Sequence, residues 1–387
     1  MRLCLLAHRY YESNSHMMQF ARAFRSREDD VDVIAVRRGN LPRHEVIDGV
    51  NLYRIHDRTN IERSPIAHSL QLGAFMLRAA AVIGWKHWKN PYDVIHVQSI
   101  PDFLVFSALI PKLMGCKVIL DLRDLVPELY ASKFLKREDS LPVRALKRVE
   151  SLSVRVADHV IVANPIWNER IIHRHSIANK CSVFWYYPDT AIFHPRIRTR
   201  QDGKFQLLYP GSLHRHQGVD IAIRAMSRIV REIPEAELHI LGNGPAKSDL
   251  YTLTQKLNLG TKVFFEEIVP IEEIPNRMAQ CDIGLVPKKA SDVFGNEAAS
   301  SKILEFMAVG VPIVASRTKI ETCLYGDALL RYFQSENEDS LANAVISIYR
   351  DAALRDTLIR NGLKYIEQNN WATRISEYTS LVQGIIK

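Results

Sequence analysis

Little in this chain points toward a membrane span, a disulfide framework or a metal site. Its longest mostly apolar stretch, residues 70–85, is interrupted by Gln71 and Arg78 and falls short of the roughly 20 apolar residues that a spanning helix needs. Five cysteines, at 4, 116, 181, 281 and 323, include no Cys-x-x-Cys pair. That pattern fits a reducing cytoplasm and argues against both a disulfide framework and a zinc site. The apolar run at residues 1–7 is too short for a signal peptide. Neither a short-period repeat nor a low-complexity tract is found. The remainder is ordinary for a packed globular protein, with 47% apolar and 24% charged residues. At roughly 100–200 residues per domain, 387 residues suggest two domains.

Charge divides the chain in the same place. Residues 1–200 hold 30 basic and 20 acidic side chains, a net +10, whereas residues 201–387 hold 21 and 23, a net −2. A basic half beside a near-neutral half suggests two domains with different partners. The basic half could meet nucleic acid, anionic lipid or a phosphorylated substrate. No nucleic-acid recognition motif accompanies it, so nucleic acid is set aside.

Hydrophobic periodicity places strands at residues 2–7, 31–36, 92–98, 117–121 and 159–163, with helical spacing at 16–27 and 141–156 and a polar loop at 8–15. The pattern restarts after a Pro- and Arg-containing linker at 187–203. Strands follow at 205–209, 237–241, 262–266, 283–287 and 311–315, with helices between them. Strands alternating with helices build βαβ units and parallel sheets. The expected fold is therefore α/β, with two Rossmann-like parallel-sheet domains. Ligands of such sheets bind at the carboxyl ends of the strands, and two such edges facing each other would place the site in a cleft.

A Gly-x-Gly-x-x-Gly is missing after the first strand, which removes the nicotinamide fingerprint from its expected place. Gly242-Asn243-Gly244 is a short glycine turn after a strand. The informative stretch runs from Phe294 to Ser316. A polar loop leads into a helix, with Ser300 or Ser301 suited to cap it. Free amides at that helix start would suit a diphosphate. Glu297 lies in the loop and Glu305 about one turn into the helix, so the two carboxylates can bracket a ligand and accept hydrogen bonds from sugar hydroxyls. No other two glutamates of the chain are eight apart.

This block resembles the Glu-x7-Glu signature of retaining GT-B-fold glycosyltransferases of glycosyltransferase family 4. Ala308-x-Gly310-x-Pro312-Ile313-Val314-Ala315 resembles the family's continuation. Tyr209-Pro210-Gly211-Ser212-Leu213 with Gln217-Gly218-Val219-Asp220, His239 through Pro245, and Asp189-x3-Phe193-x-Pro195 agree in order and separation. Residues 91–97 and 121–128 resemble acceptor-domain strands. The resemblance implies a retaining, metal-independent glycosyltransferase of the hexosyltransferase class, without cofactor. Its donor would be a UDP- or GDP-linked sugar. A glycan or polyprenyl-diphosphate-linked acceptor would place it in cell-surface or exopolysaccharide biosynthesis. Location would be cytoplasmic, with peripheral attachment to the inner face of the membrane as an added possibility. A nucleotide-sugar epimerase of the same fold and a non-catalytic GT-B partner subunit are the alternatives.

The same resemblance divides the chain into an acceptor domain at 1–190, a donor domain at 203–368 and a C-terminal helix at 369–387 that packs back on the first domain. It gives Glu297 to the donor sugar, Glu305 to the ribose, and Ala298, Ala299, Ser300 and Ser301 to the diphosphate. Gly211, Ser212, Gly242, Asn243 and Gly244 would complete the donor site. Family members often carry an arginine after the first glycine and a lysine before Gly218, where this chain has Ser212 and Gln217. His214, Arg215, His216 and Lys302 are candidate replacements, because a cation at the departing phosphate is a large catalytic effect. On the acceptor side, His8-Arg9-Tyr10 replaces a glycine-rich loop, and Arg123 stands where a histidine is common. Arg123 and Asp124 form either a substrate contact or a structural ion pair, while His8, Tyr10 and His96 are expected near the acceptor. Residues 70–89 end in Trp85-Lys86-His87-Trp88-Lys89. They read either as a helix lying on an anionic membrane surface or as one packed on the sheet with its tryptophans in the core.

Overall fold

The computed structural model describes residues 1–57 and 65–386. Its chain divides into two units, one formed by residues 1–131, 136–186 and 375–387, the other by 132–135 and 187–374.

Among the described residues the first unit carries eight strands: β1 (Arg2–Tyr10), β2 (Asp30–Arg37), β3 (His44–Ile47), β4 (Val50–Asp57), β5 (Val94–Gln98), β6 (Lys117–Leu122), β7 (His159–Val162) and β8 (Cys181–Val183). They lie in the order β3-β4-β2-β1-β5-β6-β7-β8, parallel throughout except for the β3–β4 hairpin. Central strands are buried along their length, from Leu3 to His8 in β1 and throughout β5. Continuous apolar runs of this kind are what a sheet covered on both faces requires. The polar loop expected from residue 8 begins later. β1 continues to Tyr10 through a register shift after Leu6, with Tyr10 opposite Val36. Asn14 then caps the helix Ser15–Arg25, its side chain accepting from the Met17 amide at 3.3 Å. The hairpin β3–β4 has no counterpart in the periodicity reading.

Segment 375–387 belongs to this unit. Tyr378, fully buried, stacks on Phe20 with ring centroids 4.0 Å apart.

The second unit has six parallel strands: β9 (Phe205–Pro210), β10 (Ala236–Leu241), β11 (Val263–Glu266), β12 (Ile283–Val286), β13 (Ile313–Ser316) and β14 (Arg331–Phe333). Their order is β11-β10-β9-β12-β13-β14. The direction of strand succession reverses between β9 and β12, the point where open α/β sheets bind ligands. The helix Val219–Glu232 turns its Val219, Ile223, Met226 and Ile229 onto this sheet. Residues 196–200, read from sequence as part of a linker, are tied to the same unit. Arg200 reaches Asp282 at 2.9 Å, and the Gln280 side chain accepts from the amides of Thr199 and Arg200.

Candidate functional site

In the second unit the candidate residues collect at the carboxyl ends of β9 and β10 and in the segment joining β12 to β13. β9 ends in Pro210-Gly211, and β10 runs into Gly242-Asn243-Gly244. The two turns touch. A Cβ on Gly242 would lie 1.9 Å from the Gly211 carbonyl oxygen, and one on Gly211 would lie 2.3 Å from Lys302 Cε. At Gly242 the obstacle is backbone, so only glycine fits, while Gly211 is required by its φ of +155° rather than by the flexible end of Lys302. The turn is closed further by the Tyr209 hydroxyl, which donates to the Ser212 carbonyl at 2.8 Å. Asn243 accepts from the Gly244 amide through its side chain at 2.8 Å.

The segment after β12 is held from beneath. Lys288 and Glu321 form a buried ion pair, with Lys288 Nζ 3.0 Å from both carboxylate oxygens. Burial pulls the Lys288 ammonium down, against the attraction of Glu321. Lys288 also donates to the Ala298 carbonyl, and Glu321 accepts from the Ser300 amide at 3.2 Å and from the Thr318 hydroxyl. Breaking a buried pair leaves an uncompensated charge, so this arrangement rigidly fixes the 298–300 backbone. Sequence reasoning passed over Lys288 and Glu321, because their partners lie 33 residues apart and share no periodic pattern.

Glu297 does not sit in an exposed loop as its sequence position suggested. It closes the short helix Val293–Glu297, which Asp292 caps through the Gly295 amide at 2.7 Å, and it is 5% exposed. Its Oε1 lies 3.3 Å from Lys319 Nζ, on a side chain that is 58% exposed. Glu305 follows within the helix Ser301–Val309. Ser300 takes the capping position, yet its hydroxyl makes no cap bond and has no partner among the described residues. The Ile303 amide donates to the Ser300 carbonyl at 3.3 Å, and the Ser301 and Lys302 amides before it are those that a helix start leaves without an intrahelical acceptor. Ala299 lies between the two anchored residues.

Of the cationic candidates, Lys302 alone packs on the Gly211 turn. Its ammonium stands 5.3 Å from the centre of the Tyr209 ring. Burial pushes this lysine down to about 8, partly opposed by the charge of Glu305. Arg215 turns outward to Asp249 at 3.5 Å, both side chains well exposed. His216 is pushed down to about 4 by burial, and His214 is lowered by burial and by Lys133, so both are neutral at physiological pH. Gln217 lies 3.3 Å from the Tyr209 hydroxyl and 3.2 Å from His216 Nε2. In the position of the usual lysine, Gln217 thus braces the turn.

The first unit arranges its candidates differently. Arg123 does not pair with its neighbour Asp124. Its Nε donates to both oxygens of Asp121, at 2.7 and 2.8 Å. Burial opposes ionisation of Asp121, but Arg123 and His96 hold it at about 2. His96 is 1% exposed, with Nε2 3.2 Å from Asp121 and Nδ1 2.8 Å from the Tyr378 hydroxyl. This histidine is a core residue with both ring nitrogens engaged, so it cannot serve an acceptor from there. Burial raises the pKa of Asp124, with Arg9 and Arg123 opposing. His8 is buried edge-on against Phe75 at 4.8 Å, and Tyr10 ends β1 partly exposed. The Arg123 guanidinium leaves Nη2 buried with no partner among the described residues.

Residues 192–365 match the family described as Glycosyl transferases group 1, and residues 13–184 match the Glycosyl transferase 4-like domain. An uncharacterized glycosyltransferase of Methanocaldococcus jannaschii is 24% identical over 371 residues, covering 88% of this chain and 86% of that protein. The fold is shared with sucrose-phosphate synthase of Thermosynechococcus elongatus, at a TM-score of 0.81 and 20% identity, over 99% of this chain and 98% of that one. Anabaena HepE in complex with UDP and glucose superposes at a TM-score of 0.78 and 17% identity, over 99% and 100% of the two chains.

Proposed function

Because the chain belongs to the GT-B glycosyltransferases of the group 1, 4-like type, we propose that it moves a sugar from a UDP- or GDP-linked donor to an acceptor with retention at the anomeric carbon. The observation that carries this reading is the meeting of Lys302 with the Gly211 turn. Ser212 and Gln217 remove the cations that the resemblance leads one to expect, and Lys302 supplies one from the opposite side of the same turn. A cation beside the departing diphosphate stabilises charge that develops only as the glycosidic bond breaks. Glu297, buried and fixed by its short helix, takes the donor sugar. Glu305 takes the ribose hydroxyls, and the amides that open the helix Ser301–Val309 take phosphate oxygens. HepE, a structure of the same fold, holds UDP and glucose, which supports a nucleotide-sugar in the second unit.

The acceptor we assign is a glycan or a polyprenyl-diphosphate-linked glycan of cell-surface or exopolysaccharide synthesis, met on the cytoplasmic side of the membrane. Arg123 and Asp124, both half-buried, are proposed to meet the acceptor.

Thermal-shift screening against UDP- and GDP-sugars tests the reading. A donor at 100 times its Kd should add about 2.7 kcal/mol to stability, and a chain that responds to none of them is not this enzyme. Glu305→Gln is expected to weaken nucleotide binding by about 1 kcal/mol, since one of two acceptor oxygens is replaced by a donor. Calorimetry with the free nucleoside diphosphate reads that change, and an unaltered Kd removes Glu305 from the ribose.

Metal independence is part of the proposal. The Asp-x-Asp at Asp30-Val31-Asp32 opens β2, away from the carboxyl edge, and Asp32 is engaged by Arg2 at 3.0 Å, Lys86 at 3.2 Å and Tyr92. Full transfer in excess chelator is expected, and activity that returns only with magnesium or manganese contradicts it.

A further inference from the structure

The helix Pro65–Lys89 is apolar on two faces, but the first unit covers only one. Phe75, Ala79, Ile83 and His87 recur at four-residue spacing and are buried. On another face Leu70, Leu77, Trp85 and Trp88 are 69%, 67%, 59% and 78% exposed. Gly73, Ala74, Ala81 and Gly84 fall between them in the same helical register. The result is a stripe about 27 Å long at 1.5 Å per residue. The helix Leu109–Leu113 contacts this helix and adds exposed Ile110 and Leu113. The core alternative for the tryptophans is thereby overturned: they lie on the surface.

We propose that this face docks on a lipid bilayer with anionic headgroups, the helix lying in the interface. Two observations select a bilayer over a protein partner or a second copy. No Asp or Glu occurs from residue 63 to residue 92, so the face offers an acidic headgroup no repulsion from this segment. Arg78 and Lys89 are exposed on the helix, and Lys89 stands 4.0 Å over the Trp85 ring, an amphipathic end suited to the headgroup level. Lys86, the remaining lysine of the helix, is turned inward to Asp32 and contributes no attraction. No helix among the described residues is long and apolar enough to cross a membrane, so on a bilayer the stripe lies in the interface rather than spanning it. The docking concerns the first unit and does not depend on which donor the second unit takes.

Flotation of the full chain with vesicles tests the proposal. Phosphatidylcholine vesicles containing phosphatidylglycerol should carry the protein at low ionic strength and release it at high salt, with tryptophan emission shifting to the blue on binding. The double variant Leu77→Glu, Leu113→Glu should lose vesicle affinity by at least about tenfold, with nucleotide binding and melting temperature unchanged, which separates this result from any failure of the donor assignment. Three outcomes overturn the proposal: no flotation under any condition, equal flotation of the double variant, or a wild-type dimer in light scattering that the double variant dissociates.

Discussion

Replacing Glu297 by glutamine is expected to lower transfer by about 100- to 1,000-fold while leaving the fold in place. The magnitude is that of removing one preorganised group from the charge-developing centre of an active site. Glutamine keeps the volume and one acceptor oxygen but loses the charge. Its cost to stability should stay below about 1 kcal/mol, because the partner Lys319 is 58% exposed and regains water when the pair is lost. The capping Asp292 and the Lys288–Glu321 pair are untouched by the change. Initial rates with a nucleotide-sugar donor, beside a melting curve, check both halves. Near-normal turnover in a well-folded variant removes Glu297 from the chemistry.

Lys302→Met is expected to weaken donor binding by about 30- to 150-fold, equivalent to roughly 2–3 kcal/mol for a hydrogen bond to a charged group. The same residue gives the site a pH signature. Burial lowers the ammonium to about 8 in the free protein, and a bound diphosphate favours the charged form. Binding must then take up a proton once the pH rises past 8. Affinity should be flat at lower pH and fall above it, approaching about tenfold per pH unit. The folded-state value lies beneath the ordinary lysine value of 10.5, so the fold disfavours the charge, and stability of the free protein should rise as the pH climbs through this interval. Lys302→Arg keeps its charge throughout and should bind with a flat profile. Titration calorimetry across pH 6–10, an interval of about two pH units on either side of the lysine, reads all three proteins. A wild type and Lys302→Met with identical pH dependence would exclude Lys302 from the diphosphate.

These expectations draw unequally on sequence and structure. Short apolar runs were enough to lay out β1, β2, β5, β6 and β7, then β9 to β13, as two α/β series, because a strand buried on both faces carries a continuous apolar run that is local to the strand. The spacing of Glu297 and Glu305 was equally visible, being eight residues along one chain. The glycines at 211 and 242 could be seen as turn formers, but the 1.9 Å approach that demands glycine at 242 joins two strands.

What lay beyond the sequence were choices between partners far apart in the chain. Arg123 could have taken Asp124 beside it, yet it stands just past the end of β6 and turns back to Asp121, two residues earlier. His96 looked available at a strand end until Tyr378, 282 residues later, closed its second ring nitrogen. Lys302 became the cation of the Gly211 turn only because the fold brings its side chain to the end of β9, about 90 residues upstream. Which apolar face of the helix Pro65–Lys89 is covered was decided in the same way. Composition sets how much apolar surface a helix carries, but packing against the sheet determines which of it water still reaches.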